Sequence, residues 1–124
     1  MTSLDQALEN SNKWFTDGKF FDKLSSLVNI VTDSKNAVSV DDLTNYYTDG
    51  LSDILTELGL QTEIIDNRIK GGPPFLIGKR IESSELKTIL LYGHGDTVPL
   101  QEGQWFKEII PNELKVIGDK IYGR

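Results

Sequence analysis

The feature that most constrains this chain is the run over residues 88–99, TILLYGHGDTVP, which sets an uncharged apolar stretch directly before the single histidine of the sequence. Residues 88–92 are rich in β-favouring apolar side chains and carry no charge after Lys87, a pattern that suits an interior strand covered on both faces. Gly93 ends that strand. Glycines on either side of His94 remove side-chain bulk and let the backbone turn sharply, so an imidazole and the Asp96 carboxylate can crowd about one point. In an open α/β sheet, ligands bind just past the carboxyl end of a strand, which is where this turn would sit. A neutral imidazole is a common zinc ligand, and a carboxylate two residues on can bond its other ring nitrogen, fixing the tautomer and raising basicity. The same pair also reads as a hydrogen-bonded structural histidine beside a strand, and the His-Gly-Asp spacing alone leaves both readings open.

Upstream, Ser3 followed three residues later by Gln6 makes a capping-box pattern for a short helix to about residue 10, and Asp17-Gly18 interrupts it. Phe20, Phe21, Leu24, Leu27, Val28 and Val31 recur at three- and four-residue spacing, which predicts a helix ending near 32–36 with its apolar face packed into a core. Asp41 or Asp42 caps a second helix through Leu58, with Leu43, Tyr46, Tyr47, Leu51, Ile54, Leu55 and Leu58 facing inward and Gly59 at its stop. Strands are expected over 61–65, 75–81 and 86–92, with Pro73 and Pro74 in the loop ahead of the second. A small hairpin is expected over 116–122 about Gly118-Asp119. No repeat, low-complexity tract or linker divides the chain, so residues 1–124 are expected to share one modest core.

Tyr92-Gly93-His94-Gly95-Asp96-Thr97-Val98-Pro99, followed by Trp105, Pro111 and Gly118-Asp119-Lys120-Ile121-Tyr122-Gly123-Arg124, resembles the M20 family of zinc-dependent metallopeptidases, which includes aminoacylase, carboxypeptidase and acetylornithine or succinyl-diaminopimelate deacylase types. Residues 14–36 resemble the first helix of that family, and Gly72-Pro73-Pro74-Phe75-Leu76-Ile77 the strand before its motif, so the resemblance covers most of the chain. It implies an α/β fold: the N-terminal portion of a zinc-exopeptidase-like catalytic domain, with a mostly parallel sheet flanked by helices. It also implies hydrolysis of a peptide or N-acyl amino acid substrate, with His94 as a ligand of one of two Zn2+ ions and Asp96 as the catalytic aspartate that orients His94. Two such ions would polarise the scissile carbonyl and supply a hydroxide near neutral pH.

The sequence departs from the family after that point. In the family an aspartate bridging both metals follows Y-G-R, and a later glutamate pair supplies the general base and another ligand; none of these has a counterpart up to Arg124. One histidine cannot supply the three protein ligands of a catalytic zinc site. Asp119 reads as a hairpin-turn residue, and Glu82, Glu85, Glu102, Glu108 and Glu113 as solvated charges. The expectation for this chain is therefore part of a metallopeptidase domain, lacking the lid or dimerisation domain, inactive alone and self-associating through an exposed sheet edge. The alternative is a non-catalytic relative or small binding module that keeps the fold without the metal chemistry.

Composition narrows the partners. With 13 basic and 19 acidic residues the net charge is -6, and no Lys/Arg cluster interleaves with aromatics, which argues against nucleic acid. The absence of cysteine removes disulfides, thiolate zinc sites and Cys nucleophiles. The first residues lack the basic and apolar regions of a secretory leader, and no run approaches transmembrane length, so no membrane partner is expected and the cytoplasm is the expected compartment. Residues 72–80 superficially resemble a phosphate-binding loop, but they carry Arg80 where a Ser or Thr belongs, and two prolines delete amide donors. No dinucleotide fingerprint and no G-x-S-x-G nucleophile turn is present.

Overall fold

The computed structural model describes residues 3–33, 35, 40–101, 103–106 and 108–124. They fall into two units, one made of the segment ending at Asn29 together with Trp105–Arg124, the other of Ile30–Gln104.

In the first unit, helix α1 (Ser3–Thr16) runs past the expected end near residue 10 and closes at Asp17-Gly18, where Gly18 takes a left-handed φ of 80°. Ser3 is its first helical residue, and the Gln6 amide donates forward to Asn10 Oδ1 at 3.2 Å. Helix α2 (Lys19–Val28) half-buries Phe20, Phe21, Leu24, Leu27 and Val28, as their spacing predicts, but it stops before Val31, which is exposed. Trp14 meets Phe20 edge-on with ring centroids 5.6 Å apart, a geometry that opposed ring edge and face charges favour. Strands β3 (Lys115–Ile117) and β4 (Lys120–Tyr122) form the expected hairpin, turning at Gly118-Asp119 with Gly118 at φ 62°. The one large apolar side chain that is buried among the described residues is Ile109.

In the second unit, helix α3 (Val40–Asn45), a π-helical turn (Tyr46–Leu51) and helix α4 (Ser52–Glu57) follow one another. Asp41 and Asp42 lie in the first turn of α3 rather than capping it, and the cap position falls outside the described residues. The π turn is marked by the Ser52 amide donating to the Tyr47 carbonyl, and such one-turn insertions shift the inward stripe by a residue. Leu43, Tyr46, Tyr47, Leu51, Ile54 and Leu55 are half-buried, whereas Leu58, expected inward, is exposed. Beyond α4, Gly59 at φ 79° lets its own amide reach Thr56 O at 2.9 Å and the Leu60 amide reach Leu55 O at 3.0 Å. Those paired bonds satisfy the last carbonyls of the helix and end it. Strand β1 (Gln61–Ile65) then pairs with β2 (Phe75–Lys79), Gln61 opposite Lys79 and Ile65 opposite Phe75.

The mostly parallel sheet expected from the family resemblance is not formed. Both sheets are two-stranded and antiparallel, because each pair is joined by a connection that returns the chain beside itself, whereas a parallel pair needs a longer crossover. Parallel pairing among the described residues is one isolated bridge, Asp33 with Thr97. The strand expected over 86–92 is also absent. That segment takes no regular structure, and Ile89, Leu90, Leu91 and Tyr92 are 82, 92, 87 and 90% exposed. A strand exists through the ladder of a neighbour, and a lone extended segment leaves its amides and carbonyls to water. No helix among the described residues is long and apolar enough to cross a membrane.

Candidate functional site

The turn carrying His94 is pinned from behind by the residues that follow α2. The Thr97 amide donates to the Thr32 carbonyl at 3.0 Å, and Thr32 Oγ1 donates to the Gly95 carbonyl at 2.6 Å. Thr32 and Asp33 are both buried, and Asp33 Oδ1 accepts the Lys35 amide at 3.0 Å. Nothing local in the sequence distinguishes Thr32 and Asp33 from a loop after a helix. Thr32→Val keeps the side-chain shape but leaves the Gly95 carbonyl without its hydroxyl donor. A loss of about 1–3 kcal/mol in urea unfolding is expected, and an unchanged midpoint would show that water replaces the bond.

The turn brings His94 and Asp96 together. His94 Nδ1 lies 2.9 Å from Asp96 Oδ1 and 3.1 Å from the Asp96 backbone carbonyl oxygen. Both partners accept, so in the neutral ring Nδ1 carries the proton and Nε2 presents its lone pair. This is the tautomer that binds a metal or takes up a proton through Nε2. The two side chains are 67 and 55% exposed, so a ligand reaches them without rearrangement of the turn.

The glycines beside His94 act differently from a simple permissive turn. The left-handed glycines are Gly18, Gly59, Gly71, Gly103 and Gly118, and neither Gly93 nor Gly95 is among them. Gly95 is needed for close approach instead. A Cβ there would lie 2.8 Å from Tyr46 Cδ1 and 3.1 Å from Tyr46 Cζ, while around Gly93 the space is open.

Tyr46 and Tyr47, both on the π turn, meet edge-on with centroids 6.0 Å apart. Their spacing in the sequence predicts a core stripe, and the one-residue shift of the π insertion is what brings them to the site. Burial raises both phenol pKa values above the ordinary 10.0, Tyr46 further through Tyr47, and Tyr47 further through the Asp96 carboxylate and Tyr92. The folded chain thus holds these protons more tightly than the unfolded one. Their contribution to stability is full below pH about 10 and is lost as pH rises through the raised values. Tyr46→Phe is expected to move alkaline unfolding to higher pH in a circular dichroism titration; an unmoved midpoint would mean that its hydroxyl ionises without cost.

Tyr46 and Tyr47 join Thr32, Leu43, Asn67, Pro73, Pro74, Phe75 and Tyr92 around a cavity of 340 Å³ that the turn residues 93–96 complete. The other sequence candidates lie elsewhere. Asp119 is exposed in the β3–β4 turn, Glu82 pairs with Arg80, Glu108 stands 3.9 Å from Lys115, Glu85 and Glu113 are exposed, and Glu102 lies outside the described residues. No group of three or more His, Cys, Asp or Glu side chains gathers to hold a metal among the described residues. The chain matches no known family, no curated protein and no solved structure.

Proposed function

We propose that this chain carries one part of a zinc-dependent hydrolase centre of the M20 metallopeptidase type, acting in the cytoplasm on a peptide or N-acyl amide bond. The observation that supports the proposal is the His94–Asp96 pair, in which Nδ1 of the neutral ring faces two acceptors and Nε2 is left on the side where it could ligate a metal. Asp96 holds the ring in that tautomer and orientation, which is the support a metal-bound histidine needs. The fit is incomplete, however. A catalytic zinc requires three protein ligands, and the described residues bring one imidazole and no gathered set of carboxylates. No hydrolytic step follows from these residues alone, and the remaining ligands and the general base would have to come from outside the described set. A bound ion of this kind would supply Lewis acidity and a hydroxide near neutral pH.

Calorimetric titration with zinc tests the proposal, run beside turnover assays on N-acyl amino acids and dipeptides. Weak binding is expected, far short of the roughly 10–16 kcal/mol of a complete structural site, with no turnover. His94→Ala abolishes that binding, and Asp96→Asn weakens it about 10–100-fold. Binding indifferent to His94→Ala would overturn the assignment, and tight binding with turnover would show that the chain completes the centre by itself.

The missing ligand set favours a second reading, a small binding module that uses the turn and its cavity without a metal. It predicts ligand binding that zinc does not alter.

A further inference from the structure

The cavity beside His94 has a chemical character of its own. Its walls are the rings of Tyr46, Tyr47, Phe75 and Tyr92 with Pro73 and Pro74, and its volume of 340 Å³ is at the small end of the range for small-molecule sites. Thr32 and Asn67, two of its polar wall residues, are already engaged within the chain. The Thr32 hydroxyl is bound to the Gly95 carbonyl, while the Asn67 amide donates to the Pro73 carbonyl at 2.9 Å and its oxygen accepts the Ile69 amide at 2.9 Å. No lysine or arginine lines the cavity among the described residues, and its one carboxylate is Asp96, at the turn. An anionic group would meet that carboxylate and would find no lysine or arginine among the lining residues to pair with, and desolvating a charge without a partner is costly. A flat apolar group would instead meet aromatic walls, and ring–ring contacts add to area burial.

We infer that this cavity is a side-chain subsite for an aromatic group, holding the phenyl or indole of an N-acylated aromatic amino acid with its amide directed to His94. The inference rests on the proposed hydrolase reading only for the direction of the amide; the aromatic preference comes from the walls. Tyr92 supplies the variant. Its side chain is 90% exposed, so Tyr92→Ala removes one wall without removing any packing from the folded chain.

The test is nuclear magnetic resonance titration of the labelled full chain, without zinc, using N-acetyl-phenylalanine amide and N-acetyl-aspartate as probes. The aromatic probe is expected to shift the Gly93, Gly95 and Phe75 amides and to bind at least about ten-fold more tightly than the acidic one, a difference of about 1.4 kcal/mol. Tyr92→Ala is expected to weaken the aromatic probe several-fold with an unchanged circular dichroism spectrum, and His94→Ala to leave it bound. Equal affinity for the two probes, no binding of either, or aromatic binding that ignores Tyr92→Ala would overturn the inference. If the aromatic probe binds while zinc binding fails to depend on His94, the subsite stands and the hydrolase reading falls; the reverse pattern removes the subsite and leaves that reading intact.

Discussion

Leu90→Lys combined with Leu91→Lys is expected to lower the tendency of this chain to self-associate, an association that the exposed apolar run over residues 89–92 predicts. The two side chains are 92 and 87% exposed, flanked by Ile89 and Tyr92 in the same condition, so four consecutive apolar residues face water on a segment that joins no sheet among the described residues. Burying one leucine side chain is worth about 1.5–3 kcal/mol, so covering these two in an encounter between copies contributes roughly 3–6 kcal/mol, a factor of hundreds or more in association. The unpaired amides and carbonyls of the segment add a template for strand pairing, which lysines on an edge oppose. Because neither leucine packs in the folded chain, the double variant should unfold within about 0.5 kcal/mol of the parent. Light scattering over a concentration series, with an apolar dye as a second readout, decides the matter. Association undiminished in the double variant would place the contact elsewhere.

Gly95→Val is the most damaging single change expected in the second unit. Its Cβ would stand inside the contact distance of the Tyr46 ring, which is half-buried and cannot swing into solvent freely. Overpacking of this kind costs about 1–3 kcal/mol. Displacing the Gly95 carbonyl from the Thr32 hydroxyl adds about 1 kcal/mol more. Gly93→Ala, where the space is open, should be close to neutral and serves as the control. A double-mutant cycle with Tyr46→Ala isolates the contact, since removing the ring should rescue most of the loss. Equal thermal midpoints for the parent and Gly95→Val would falsify the close approach.

The local elements were legible because their causes are local. Helical spacing in Phe20, Phe21, Leu24, Leu27 and Val28, the stop at Gly59, the strand over Gln61–Ile65 and the Gly118-Asp119 hairpin all depend on residues within a turn or two of one another. The segment 86–92 was misread for the opposite reason. Its apolar β-branched and leucine-rich composition describes a strand that has neighbours, and composition does not supply them. The parallel sheet failed with it, since that expectation was carried by the family resemblance and the connections between the strands favour return pairs. At the site, His94 and Asp96 could be read from their two-residue spacing, which puts a carboxylate within reach of a ring nitrogen. Thr32, Tyr46 and Tyr47 could not, because they arrive from distant parts of the chain. The role of Gly95 was half legible: the need for a glycine showed in the sequence, but the cause is a ring lying on it, not its φ.

The bond from Thr32 to the Gly95 carbonyl joins positions 63 residues apart, and the Asp33–Thr97 bridge lies beside it. The hairpins and the helix stop close over far shorter lengths of chain. Closing a loop costs entropy that grows with the logarithm of its length, so contacts that close a long loop gain least until the rest is in place. The His94 turn is therefore expected to assemble late in folding and to open early in unfolding, so that the geometry of one imidazole depends on the order of the chain between residues 32 and 97. A ligand that binds this turn draws on the same equilibrium. A ligand that binds only the closed turn would hold that loop shut, so the stability of the folded second unit would rise with occupancy at His94.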